Sequence, residues 1–246
     1  MSTTTETGHA INVRNFFDLI NVCKAFGSQY QPSKTAIQIP ALEVTLAQAQ
    51  TALNEVIKYN TAYNVAINAR FELFKNNKTL ATRLVNAFEN SDAPTETKKD
   101  LKGFNRKLQG KKASERKNKD IEEDAQNPKT KTVSSIQLSY TNQVEHLRAL
   151  LSILSSETSY APNEVALQVN TIQELLTNQM AANEQVSSCF VAISNARLTR
   201  DRILYGAETG LCSLSLHVKK YVKSIFGSTS QEYKQLSRIT FNVIKK

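Results

Sequence analysis

The 246-residue chain is 40% hydrophobic and 22% charged, values ordinary for a folded soluble protein with a real core. Seven Gly and five Pro are too few turn residues for a β-rich fold, so helix is expected. The net charge of +9 is uneven: residues 98–119 hold ten basic residues against Asp100 and Glu115, and residues 219–246 hold seven against Glu232. A mildly acidic body with two basic segments favours anionic partners at low salt, a solvated tail or linker being the plain alternative.

Residues 1–9 are Thr-rich without periodicity and are expected to be disordered. They carry no basic start and no apolar stretch, so a secretory signal is not expected. A first helix follows, with Val13, Phe16, Ile20 and Cys23 at spacings of three and four and Gly27 as its stop. Tyr30-Gln31-Pro32 then breaks the chain, because proline biases the residue before it away from helix. No helix breaker occurs over residues 41–74. There Leu42, Leu46, Ala49, Leu53, Val56, Asn60, Tyr63, Ile67, Arg70 and Phe74 alternate four and three, a heptad coiled-coil seam. Such a helix is about 50 Å long. A third helix over residues 80–88 closes the unit before the first basic stretch.

The same order returns 130 residues later. Tyr160-Ala161-Pro162 repeats the break, and Leu46/Leu176, Ala52/Ala182, Val56/Val186, Ala62/Ala192, Ala66/Ala196 and Arg70/Arg200 stay in register. An internal repeat constrains architecture more than any other sequence clue. The second copy places Val144, Leu147, Leu151 and Leu154 on its first helix and Ile172, Leu176, Val186, Phe190 and Ile193 on its long one. Gln179, Asn183, Arg197 and Arg200 interrupt that seam, trading stability for register or partner choice. Leu214, Val218, Tyr221, Val222 and Ile225 mark its third helix, preceded by Gly206 and Gly210 at a bend or cap. In the tail, Ile239, Phe241 and Val243 alternate with polar residues, as in a short extended segment. This ending resembles those of an uncharacterised bacterial family of helical proteins, a resemblance that implies no activity.

The fold expected is all-α: an elongated antiparallel helical bundle built by internal duplication of a three-helix unit. Its parts are a first repeat over 10–104, a charged linker over 105–132, and a second repeat with a basic tail over 133–246. Mutual burial around a pseudo-twofold favours one bundle; two separate three-helix domains are the alternative.

Chemistry is sparse. His9, His146 and His217 are the three histidines, and no HExxH, Glu-x-x-His pair or His/Cys cluster accompanies them, so no metal site is expected. His146, between Glu145 and Arg148, reads as solvated. No Gly-rich phosphate loop or nucleophile elbow is present, so neither a cofactor site nor catalytic residues are assigned. Cys23, Cys189 and Cys212 are odd in number and sit among apolar neighbours, which points to a reducing, cytoplasmic setting. No run approaches the ~18 apolar residues of a membrane span. Tyr30, Pro32, Arg70, Tyr160, Pro162 and Arg200 are retained between the copies and read as structural, the arginines pairing with a carboxylate or reaching solvent. The Asn and Gln side chains on the helices read as solvent faces.

The function expected is a non-enzymatic scaffold or interaction protein, self-associating or part of a larger bacterial assembly. The alternative is salt-sensitive, sequence-nonspecific nucleic-acid binding. The candidate contacts to an anionic partner are Lys98, Lys99, Lys102, Arg106, Lys107, Lys111, Lys112, Lys219, Lys220, Lys223, Lys234 and Arg238. A membrane-active bundle is a third reading, without an apolar span to favour it.

Overall fold

The computed structural model describes residues 8–110 and 138–243. It is all-helical, with no strand among those residues. Among the described residues eight α-helices follow in order: α1 (His9–Ala25), α2 (Ile39–Phe74), α3 (Asn77–Glu89), α4 (Thr95–Leu108), α5 (Tyr140–Ser156), α6 (Val169–Tyr205), α7 (Leu211–Phe226) and α8 (Gln231–Ser237). The chain divides into two compact units. One takes the residues up to Asn64 and those from Cys189 onward; the other is Val65–Ser188.

In the first unit, Phe16, Leu19, Ile20 and Cys23 of α1 are buried with Leu42, Leu46 and Ala49 of α2 and Leu214, Val218 and Val222 of α7. Gly27 ends the first helix at φ +54°, a conformation glycine adopts without a Cβ penalty. The α6–α7 junction needs glycine for a different reason. A Cβ on Gly210 would stand 2.5 Å from the Gly206 carbonyl oxygen, so the two glycines form a tight backbone turn. That agrees with the bend read from sequence.

In the second unit, Phe74 is buried with Leu84 and Phe88 of α3, Leu101 and Leu108 of α4, Leu147, Leu150 and Leu154 of α5, and Ile172 and Leu176 of α6. Ser139 caps α5, its hydroxyl accepting from the Asn142 amide at 3.2 Å.

Each core thus mixes residues from both halves of the sequence. The repeats expected over 10–104 and 133–246 do not coincide with the compact units, because the boundaries fall inside α2 and α6. Other details differ too. The first helix starts at His9, one residue inside the stretch expected to be disordered; residues 1–7 lie outside the described ones. The first basic stretch begins as helix α4, which runs through Leu108 and past the expected linker start at 105, because Leu101 and Leu108 bury completely. Residues 111–132 of that linker, Lys111 and Lys112 included, lie outside the described residues. The basic tail forms helix α8 around the buried Leu236, and residues 240–243 after it are not helical.

The heptad seam expected on α2 is buried at Leu42, Leu46, Ala49 and Phe74 but only half-buried from Leu53 to Arg70. The first three join the α1 and α7 core, and Phe74 joins that of α3–α5.

Candidate interaction surfaces

The two Tyr-x-Pro breaks fold alike. The Tyr30 hydroxyl donates to the Ile37 carbonyl at 2.7 Å, and the Tyr160 hydroxyl donates to that of Leu167 at 2.7 Å. Gln38 Nε2 donates to the Pro32 carbonyl at 3.2 Å, and Gln168 Nε2 to that of Pro162 at 3.5 Å. Burial pushes the Tyr160 phenol up to about 12 and raises that of Tyr30 further. Both buried hydroxyls therefore keep their protons at neutral pH and donate them to those carbonyls.

Arg70 and Arg200 take different partners. The Arg70 guanidinium lies 4.1 Å from the Tyr140 ring centroid, and its buried Nε has no hydrogen-bond partner. Arg200, 8% exposed, donates through Nε and Nη2 to Asp201 at 2.9 and 2.6 Å.

The basic candidates split between internal duty and exposure. On α4, Lys98 donates to the Ser91 carbonyl, Lys99 pairs with Glu96, and Lys102 pairs with Glu89. Lys107 stands 5.0 Å from the Phe104 ring, and Arg106 is exposed. Across the α7–α8 region, Lys219 donates to the Ile239 carbonyl, and burial lowers its pKa. Lys223 lies 5.9 Å from the Tyr233 ring, while Lys220, Lys234 and Arg238 are exposed. Several of these charges therefore hold the fold together as well as decorating it.

Reactive chemistry is thin. Burial pushes the Cys23 thiol up to about 12 and that of Cys212 up to about 11, so neither is a thiolate near neutrality. Among the described residues no group of three or more His, Cys, Asp or Glu could hold a metal ion. A groove of about 620 Å³ in the second unit is lined by α5 and α6. Its Ser155 and Thr177 hydroxyls donate to the Leu151 and Gln173 carbonyls of their own helices, so no base activates them. Arg148, at its rim, is held by Glu145 at 2.8 Å.

Sequence reasoning missed the burial of His146, Asn12 and Asn77, and Gln179 was visible only as an interruption of the seam. His146 is 7% exposed rather than solvated, because it shares the inner face of α5 with Leu147 and Leu150. Its Nε2 lacks a partner, and burial lowers its pKa. Asn12, Asn77 and Gln179 are each at most 1% exposed. Asn12 stands in phase with Phe16, Leu19 and Cys23, which is the signal that could have found it.

The long helices also expose large apolar side chains. On α2 these include Ile57 at 65% and Val65 at 62%; on α6 they include Phe190 at 55%, Val191 at 54% and Leu198 at 60%. Among the described residues no helix is long and apolar enough to cross a membrane.

No protein-family model, no characterised protein and no solved structure matches the chain.

Proposed function

We propose that the protein is a non-enzymatic helical scaffold that associates with itself or with other proteins in a bacterial cytoplasmic assembly. The observation that carries this reading is the exposure of large apolar side chains on α2 and α6. Scattered exposed apolar residues are normal, but Ile57, Val65, Phe190, Val191 and Leu198 recur on two long helices, and the seam of α2 is only half-buried from Leu53 to Arg70. The matched bonds of Tyr30 and Tyr160 support an internal duplication, which would offer comparable helix faces twice. Packing into one antiparallel bundle belongs to the same proposal.

Light scattering tests it. The expected result is a mass above that of one chain, reduced by Val191→Glu with Leu198→Glu in one protein. A strict monomer at all concentrations, joined by no partner in a crosslinking experiment on intact cells, overturns it.

A second reading rests on the exposed Lys99, Lys102, Arg106 and Lys107 along α4: salt-sensitive, sequence-nonspecific binding to nucleic acid. The internal bonds of Lys98, Lys99, Lys102 and Lys219 make it the weaker one. A gel shift that shows no complex at ~50 mM salt removes it.

A further inference from the structure

Residues 240–243 form no helix, and Ile239 and Phe241 pack on the core to which α1 and α7 contribute. The tail is held by its main chain. Asn12 Nδ2 donates to the Asn242 carbonyl at 2.8 Å, and the Asn242 amide donates back to Asn12 Oδ1 at 3.0 Å. Asn15 Nδ2 donates to the Thr240 carbonyl at 2.7 Å, and the Lys219 ammonium donates to that of Ile239. A carboxamide offers one donor and one acceptor side by side, as a strand edge does. Asn12 therefore grips residue 242 as a neighbouring strand would, whatever the side chain there.

The side chains alternate as in an extended peptide. Ile239 and Phe241 turn toward the core, while Thr240 and Asn242 are exposed. The Phe241 ring meets that of Phe16 edge-on at 6.4 Å between centroids, and the Lys219 ammonium lies 5.6 Å from its centre. Neither anchor is fully buried, whereas Leu236, one turn earlier, is. The core thus closes at Leu236, and the segment after it rests on that core as a ligand does.

We infer that the face formed by α1 and α7 is a peptide-binding site for an extended segment with apolar side chains at positions i and i+2. The chain's own residues 239–243 fill it in cis, and the same segment of a second copy is its partner in trans. Main-chain reading supplies affinity, and the Phe241 position supplies selectivity. The site uses none of the exposed apolar side chains of α2 and α6 that carry the association reading, so its failure would leave that reading standing.

The test uses the full-length chain with Ile239→Ala and Phe241→Ala, and a fluorescent peptide of residues 237–243. Saturable anisotropy binding to this chain is expected, with the unaltered chain binding at least about tenfold more weakly because its own tail competes. Adding Asn12→Ala to the emptied chain should weaken binding by about tenfold, the size of one lost hydrogen-bonded pair. No saturable binding, or binding indifferent to Asn12→Ala, overturns the inference. So does loss of the helical circular-dichroism signal in the doubly substituted chain, since the tail would then be part of the core.

Discussion

Gln179 Nε2 lies 2.7 Å from Asn77 Oδ1, with both side chains sealed from solvent inside the second unit. The same nitrogen donates to the Leu73 carbonyl at 3.0 Å, in the last turn of α2, which has no helical continuation to satisfy it. Asn77 in turn donates to Gln143 Oε1 at 3.3 Å, so one network ties α6 to α3 and α5. Gln179→Leu would strand the Leu73 carbonyl and the Asn77 acceptor together. Because Gln179 Oε1 is itself buried without a partner and the substitution removes it, a loss of about 2 kcal/mol in urea unfolding is expected. A double-mutant cycle with Asn77→Ala should show coupling of about 1 kcal/mol; additive effects would count against a shared network.

The tyrosine breaks make a paired prediction. Tyr30→Phe and Tyr160→Phe each remove a 2.7 Å bond to a carbonyl seven residues ahead and leave the rings in place. Each should destabilise the protein by about 1 to 2 kcal/mol, the cost of an unsatisfied buried acceptor. Urea denaturation of the two variants should give closely similar losses. A large effect from one and none from the other would argue against equivalent roles, and with them against the duplication.

These bonds also mark how far the sequence reaches. Helices α1–α3 and α5–α7, the breaks at Pro32 and Pro162 and the Gly206–Gly210 bend follow from local periodicity and backbone chemistry, which act within a few residues. The pairing of helices does not. Leu42 meets α7 and Phe74 meets α3–α5 because the long helices carry each half of the chain into both cores, a long-range choice that no local pattern encodes. The α4 and α8 helices were hidden because lysine-rich composition masks the single turns of leucine at Leu101, Leu108 and Leu236 that fix them. Gln179 was visible as a polar residue on a seam, but its Leu73 and Asn77 partners were not.

Arg70 and Arg200 occupy the same repeat position and should respond differently. Arg200 is nearly sealed and doubly bonded to Asp201, whose own carboxylate is partly exposed. Arg200→Met should cost about 2 kcal/mol, below the range for a wholly buried pair because the aspartate can still reach water. Arg70→Met loses a cation–π contact with Tyr140 but also removes an unsatisfied buried Nε. These effects oppose each other, so a change within about 1 kcal/mol is expected. Thermal unfolding of both variants checks the order, and a larger loss at Arg70 would refute it.

His146 gives the protein an acid-sensitive point. Burial, reinforced by the positive charge of Lys107 and opposed by the carboxylate of Glu145, sets its folded pKa below the usual 6.5. The unfolded chain then binds a proton at higher pH than the folded one does. The stability associated with the neutral ring is therefore present above pH 6.5 and is lost as pH falls from there toward the lower folded value. His146→Leu places an apolar side chain of similar size on the inner face of α5 and removes the titration. The unaltered protein should lose stability between pH 7 and about 5.5, while the variant should lose measurably less over the same interval. Chemical denaturation at the two pH values decides it, and parallel losses in both proteins would assign the acid sensitivity to other groups.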